Sequence, residues 1–205
     1  MQLSPQNLNP TECYHLLIQT VLPRPIAWIL TANDAGSAGA FNLAPYSFFA
    51  PVCANPPTFA VSIGHKPAGD EKDTFVNLLR DGRCVVHIAS ADDLTALNNS
   101  SATLDYGVSE VDQQQLVLVQ DDGTTLPRLQ QAPVAFYCRL QQRLDIGPEA
   151  QHVVFLEVEQ VWLRDTLATA GERLKISAAD LNPLARLGGS EYATLGEIIS
   201  QPRPA

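Results

Sequence analysis

The sequence predicts a mainly β chain with a few helices, closed as an antiparallel barrel or sandwich. Two observations carry this. Runs with strand patterning recur along the chain, separated by Gly, Pro, Asn and Asp turns. Helical spacing, in contrast, is confined to short windows.

The first strand is an unbroken apolar run in which Ile26, Trp28 and Leu30 alternate with Ala27, Ile29 and Thr31, the pattern of a strand covered on both faces. Asn33-Asp-Ala-Gly-Ser-Ala-Gly39 is a turn signal, so a hairpin returns through Phe41. Pro45, Pro51, Pro56 and Pro57 keep the next segment extended, as at the edge of a barrel. Thr58–Ile63 and Arg83–Ile88 are two further strands. Between them Phe75, Leu78 and Leu79 have helical spacing, Asp73 or Thr74 is placed to cap the start, and Gly82 to end it.

Ala91–Asn98 reads as a short helix, and the polar stretch from Asn98 to Gln131 as a surface excursion. After Pro133 comes the clearest strand. Val134, Phe136, Cys138, Leu140, Leu144 and Ile146 are expected on one face, with Arg139, Gln141, Arg143 and Asp145 on the other. Gly147-Pro148 turns the chain into a partner strand from His152 to Leu163. Ser177-Ala-Ala-Asp-Leu opens a last helix, stopped near Pro183.

With 205 residues and no linker composition, one domain over 1–205 is expected. A charged fraction of only 17% suggests that a partner subunit covers some surface. The net charge of −9 excludes nonspecific nucleic-acid binding, which needs Lys and Arg against phosphates. No basic start followed by an apolar run marks a signal peptide, and no apolar stretch is long enough for a bilayer, so a cytoplasmic protein without membrane partners is expected. Cysteines 13, 53, 84 and 138 form no Cys-x-x-Cys pair and have no His at ligand spacing, so no zinc site is expected. Cys84 and Cys138, among apolar strand residues, read as buried thiols.

The segment from Asp34 to Thr74 carries the functional information. No Asp, Glu, Lys or Arg stands between Asp34 and Lys66. Within it, Asn42–Pro57 offers free backbone groups for the edge of a heterocycle, Ser47 as a phosphate donor, and flat apolar surface from Tyr46, Phe48 and Phe49. The alternative is a proline-rich barrel edge whose aromatics are core. Lys66–Thr74 then leads into the helix start, where free N–H groups and the helix dipole favour an anion. Lys72 adds a charge and Thr74 a hydroxyl, while Asp73 would repel a close phosphate and so suits a cap or a ligand hydroxyl. The plainer reading is a capped helix with a solvated lysine. If Lys72 and Thr74 face solvent, replacing both leaves folding intact. His152, after the Gly-Pro turn, is a candidate for orienting a cofactor or substrate, whereas His87 in its apolar strand reads as structural. His15 and His65 have no supporting context. No serine elbow, phosphate loop or dinucleotide-binding glycine pattern is present.

Pro23-Arg-Pro-Ile-Ala-Trp-Ile-Leu-Thr31, Asn42-Leu-Ala-Pro-Tyr-Ser-Phe-Phe49, Asn55-Pro-Pro57 and Lys72-Asp-Thr74 stand in the order seen in the flavin reductase-like family. Leu126-Pro-Arg-Leu, Pro133–Leu140 and the tail Pro183–Gly189 with Tyr192 extend the likeness over roughly residues 15 to 200. The chain therefore resembles that family and its FMN-binding, Greek-key split-barrel fold. The resemblance implies FMN as cofactor, with the isoalloxazine against the backbone of Thr31 and Asn42–Pro45, including Ala44. It places the phosphate at Ser47, Lys72 and Thr74, with Asp73 adjoining, and Arg186 and Tyr192 in a tail that covers the flavin. His152, as candidate catalytic residue, falls near a family His on the nicotinamide side.

By the same resemblance the protein is a homodimer with FMN near the interface, and an NADH- or NADPH-dependent flavin reductase. Hydride would pass to flavin N5, and electrons onward to a second flavin, a metal complex or a partner protein. The alternative is a non-enzymatic FMN-binding electron carrier reduced by a partner. A third reading is a split barrel that has lost its flavin. Two departures stand out. His87 replaces a frequent Asn, and Leu156-Glu-Val158 replaces Gly-Glu-Val, where a side chain is expected to narrow the nicotinamide side.

Overall fold

The computed structural model describes residues 1–148, 151–169 and 174–204. Helix α1 (Pro10–Thr20) leads into strands β1 (Arg24–Pro25), β2 (Ala27–Ala32), β3 (Phe41–Tyr46), β4 (Phe49–Ala54) and β5 (Pro57–Ile63). Helix α2 (Asp73–Asp81) is followed by β6 (Arg83–Ile88), α3 (Leu94–Asn99) and α4 (Glu110–Gln113). Strands β7 (Leu118–Val119) and β8 (Arg128–Leu129) precede the two long strands β9 (Val134–Ile146) and β10 (Gln151–Leu163). The tail carries β11 (Ala168–Thr169), β12 (Lys175–Ile176), α5 (Ala178–Leu181), β13 (Ala185–Arg186) and β14 (Tyr192–Ala193).

Seven strands form one sheet in the order β3-β2-β6-β9-β10-β5-β4, and each neighbouring pair is antiparallel. β2 is apolar on both faces because the sheet is covered on both. Trp28 and Leu30 enter one core with Leu43, Val85 and Ala135. Ala27 and Ile29 enter the other with Val61, Ile63, Val86 and Leu156, joined by Phe75 and Leu78 of α2. Each large apolar side chain removed from water contributes about 1.5–3 kcal/mol, so this double-faced strand anchors the fold.

Leu156 has no exposed surface. It packs in the second core with Val61, Val86 and Val154. Cys84 and Cys138 are buried free thiols facing each other across β6 and β9, as the apolar context implied. Contact with Cys84, then burial, pushes the Cys138 thiol up. Leu79, expected on the buried stripe of α2, points outward at 48% exposure. Gly82 does end that helix, in the left-handed conformation (φ 68°).

Two expectations fail for identifiable reasons. Leu144 and Ile146 are half exposed rather than inward. Leu140 pairs with Leu156 but Gln142 pairs with Phe155, leaving Gln141 as an extra residue in β9. This bulge inverts the alternation beyond it. Arg143 and Asp145 move to the face of Val154 and His152, and the aliphatic residues move out. The excursion from Asn98 to Gln131 is not a surface loop: Val111, Leu126 and Leu129 are buried in the first core. Its short apolar contacts are spaced too irregularly for a periodic signal.

Helix α1 was not legible from hydrophobic periodicity, though its start carries a capping box. Asn9 Oδ1 accepts from Glu12 N at 2.9 Å, and the Glu12 carboxylate accepts from Asn9 N at 2.8 Å, with Pro10 in the first turn. Among the described residues no helix is long and apolar enough to cross a membrane.

Candidate functional site

Where the β3 edge meets the start of α2, a cleft opens between Ala44, Pro45 and Tyr46 on one side and Lys66, Lys72 and Asp73 on the other. The segment Ser100–Leu104 and the buried Glu110 complete its wall. The cleft therefore joins the ends of the uncharged and charged stretches of the sequence. The Ser100 segment carries no motif. It arrives because Trp28 Nε1 donates to Ser100 Oγ at 2.8 Å, and that hydroxyl donates to Leu97 O at 2.8 Å.

Lys72 is the N-cap residue of α2, so its side chain sits beside the free amides of the first turn. Its ammonium lies 5.6 Å from the Tyr46 ring centroid and forms no ion pair among the described residues. Burial, and then Lys66, pull its pKa down. Lys66 itself is neutralised by Asp73, 2.5 Å away, and donates to Leu104 O at 3.2 Å. Asp73 does not cap α2. Its Oδ2 instead accepts from Gly107 N at 3.0 Å, tying the helix start to the excursion. With its charge met by Lys66, Asp73 no longer opposes an anion beside Lys72.

Glu110 accepts from Leu43 N at 2.9 Å, and burial raises its carboxyl above the usual range. The Tyr46 hydroxyl is buried beside Thr74, and burial raises its pKa. A partly buried lysine without an acidic partner among the described residues is what a phosphate-bearing group would satisfy.

Thr31, Asn42 and Thr74 come together; Asn42 lines the cleft and joins it to the two threonines behind. Asn42 Nδ2 donates to Thr74 Oγ1 at 2.8 Å and to Thr31 Oγ1 at 3.3 Å. Asn77 Nδ2 reaches Thr31 Oγ1 and Asn33 Oδ1, each at 3.0 Å. All are buried, and they fasten α2 to the β2–β3 hairpin. Thr74 is therefore a packed residue, not a solvent-facing one.

Ser47 is elsewhere. It lies in an apolar groove with Leu17, Val21, Phe48 and Arg24, and its hydroxyl accepts from Arg24 Nε at 3.3 Å. Arg24 is buried and also donates to Ile18 O, Val21 O and Leu187 O. Across the β1–β13 pair it faces Arg186, and burial, with Arg186 contributing, lowers its pKa. Arg186 stacks on Tyr192 at 4.4 Å, and its Nη1 is buried without a partner among the described residues. The Tyr192 hydroxyl donates to Asn98 Oδ1 at 3.1 Å, so the tail grips the helix that precedes Ser100. The predicted site residues thus fall into a cleft, a buried scaffold and an arginine-lined groove.

His152 forms a fourth group. It is nearly enclosed, stacked on Phe75 at 3.8 Å with an interplanar angle of 4°. Its Nδ1 lies 2.7 Å from Asp145 Oδ1, and its Nε2 lies 3.0 Å from Glu71 Oε1. The His152 hydrogen bond holds the Asp145 carboxyl below its usual range. Asp145 reaches this position only through the Gln141 bulge, and so sequence alternation had assigned it to the wrong face. His87 is structural, as its strand context suggested. Leu129 N donates to its Nε2 and its Nδ1 contacts Trp28 O, both at 3.0 Å.

An antiparallel barrel whose edge strand and helix start frame a cleft with an unneutralised lysine belongs to the split-barrel class. The chain belongs to the flavin reductase like domain family, whose model matches residues 19–181. It is 35% identical to an uncharacterized protein of Halalkalibacterium halodurans, over all of this chain and 97% of that one. The fold is similar to nitrilotriacetate monooxygenase component B from Bacillus cereus, with TM-score 0.89 and 30% identity over 98% of both chains. It is also similar to 2-nitrobenzoate 2-nitroreductase of Pseudomonas fluorescens, with TM-score 0.87 and 25% identity over all of this chain and 96% of that one. Membership of this family makes flavin-linked oxidoreduction the coarse function.

Proposed function

We propose that the protein is an FMN-dependent NAD(P)H:flavin reductase, with FMN phosphate held at Lys72 and the ring edge along Ala44 and Pro45. The observation that carries this reading is Lys72, a partly buried cation without an acidic partner among the described residues, set at a helix start. FMN would supply the hydride-accepting N5 and the onward electron transfer. The chain's own part is binding and orientation. Lys72 and the first amides of α2 meet the phosphate, and the Asp73–Lys66 pair keeps a carboxylate from opposing it. Ser100–Leu104 forms one wall of the cleft. Arg186 and Tyr192 act through their hold on Gly189 and Asn98.

An electron carrier reduced by a partner protein remains the second reading, because both nitrogens of His152 already face carboxylates. The visible spectrum of the purified protein, followed anaerobically, separates the two. Flavin absorbance bleached by NADH or NADPH is the expected result. Bound flavin that neither nucleotide reduces would overturn the reductase reading in favour of the carrier.

A homodimer is part of the proposal. Beyond Phe49, β4 is exposed, and beside it Phe48, Leu17 and Val21 line one groove, with Tyr14 against Phe48. An edge strand with such a surface invites a second copy. Phe48→Asp is expected to shift the light-scattering mass from dimer to monomer. A wild-type monomer would remove the dimer from the proposal. A cytoplasmic setting suits the four free thiols.

A further inference from the structure

His65, Glu71 and His152 bring one ligand atom each within 4.8 Å of one another. We propose that these three side chains form a binding site for a divalent transition metal, zinc by preference, with Asp145 as the carboxylate that orients His152. The proposal stands apart from the flavin reading, since none of these residues lines the cleft at Lys72.

Four features favour a metal over a simple polar cluster. The donor set is two imidazoles and one carboxylate, which suits zinc with a fourth position left open. Each imidazole already lies near a Glu71 oxygen at about the spacing of a tetrahedral site, for which donors about 2.1 Å from the ion lie roughly 3.4 Å apart, and the three ligand atoms lie within 4.8 Å of one another. Here His152 Nε2 is 3.0 Å from Glu71 Oε1, and His65 Nε2 is 3.5 Å from Glu71 Oε2. Asp145 at 2.7 Å from Nδ1 would accept from Nδ1–H when a metal takes the Nε2 lone pair, the usual support of a metal-bound histidine. Finally, Phe75 holds the ring flat and keeps one side dry, while His65 and Glu71 stay partly open to solvent as an entry path.

The ligands bracket the turn from His65 to Glu71, which is closed by Lys66 N donating to Asp70 O at 2.7 Å. A bound ion would therefore clamp the segment leading directly to Lys72. No motif in the sequence marks this site, because His152 comes from a strand far along the chain and Asp145 faces it only through the bulge.

The test is titration of chelator-stripped full-length protein with zinc chloride, against a chromophoric competitor, and with cobalt chloride to read ligand type. One metal per chain is expected, with a cobalt spectrum of low coordination number and no thiolate charge-transfer band. Glu71→Gln and His65→Ala, both at partly exposed side chains, should each weaken binding at least tenfold without altering the circular dichroism spectrum. Asp145→Asn should weaken it about 10- to 100-fold. His15→Ala should change nothing. Absence of stoichiometric binding would overturn the proposal and leave His152 as a side chain held between two carboxylates. Binding that survives His65→Ala with Glu71→Gln, or that shows a thiolate band, would also overturn it by placing the metal on a cysteine.

Discussion

Lys72→Ala is expected to weaken FMN binding about ten- to a hundredfold, read from quenching of flavin fluorescence. A charged hydrogen bond to phosphate contributes roughly 1.5–3 kcal/mol, and each 1.4 kcal/mol is a factor of ten. Folding should be unharmed, because the ammonium makes no ion pair among the described residues and burial already opposes its charge. Thr74 does not share this property. Its hydroxyl accepts from Asn42 inside the scaffold, so Thr74→Ala would leave a buried amide short of a partner and cost about 1–3 kcal/mol of stability. Replacing both residues together therefore confounds binding with folding, and the single lysine variant is the clean test. Unchanged affinity in Lys72→Ala would move the phosphate to Arg24 and Arg186 beside Ser47.

The second large effect is a loss of stability in mild acid that depends on His87. Burial lowers its pKa to about 4, from the ordinary value of 6.5. The gap corresponds to about 3 kcal/mol. Above pH 6.5 both folded and unfolded chains carry a neutral imidazole, and this stability is fully present. As pH falls below 6.5 the unfolded chain takes a proton that the folded chain refuses, and stability drains away until the folded imidazole also titrates near pH 4. Protonation there would put a proton on Nε2, against the amide of Leu129. Urea midpoints measured from pH 7 to 4.5 should fall more steeply for the wild type than for His87→Asn. Parallel slopes would show that His87 is not held neutral.

Much of the fold was readable because its causes are local. The apolar run of β2, the turn at Asn33–Gly39, the long strand after Pro133 and the glycine ending α2 each depend on residues within a few positions. The β3 edge of the cleft and Lys72 were readable for the same reason, since a proline-held strand and a helix start announce themselves in composition. Helix α1 shows a local signal passed over: its capping box stands in Asn9–Glu12, but its apolar face is weak because only Ile18 is buried.

What escaped had causes distant in the chain. Leu144 and Asp145 exchanged faces because of one unpaired residue, and a bulge leaves no mark on hydrophobic alternation. Ser100–Leu104 became a wall of the cleft through a hydrogen bond from Trp28. Ser47 and Lys72, both expected at the phosphate, did not meet in one place, since Arg24 draws Ser47 toward the end of α1 and the tail.

By itself, then, the sequence determined an antiparallel barrel of the flavin reductase kind, a helix start able to bind an anion, and an uncharged edge beside it. Only the tertiary structure decided which charges stay unpaired, which hydroxyls are scaffold, and that His152 lies between Asp145 and Glu71. Periodicity and capping act between near neighbours, so they are written in order along the chain. Charge pairing and strand register act across the sheet, between residues that only folding brings together.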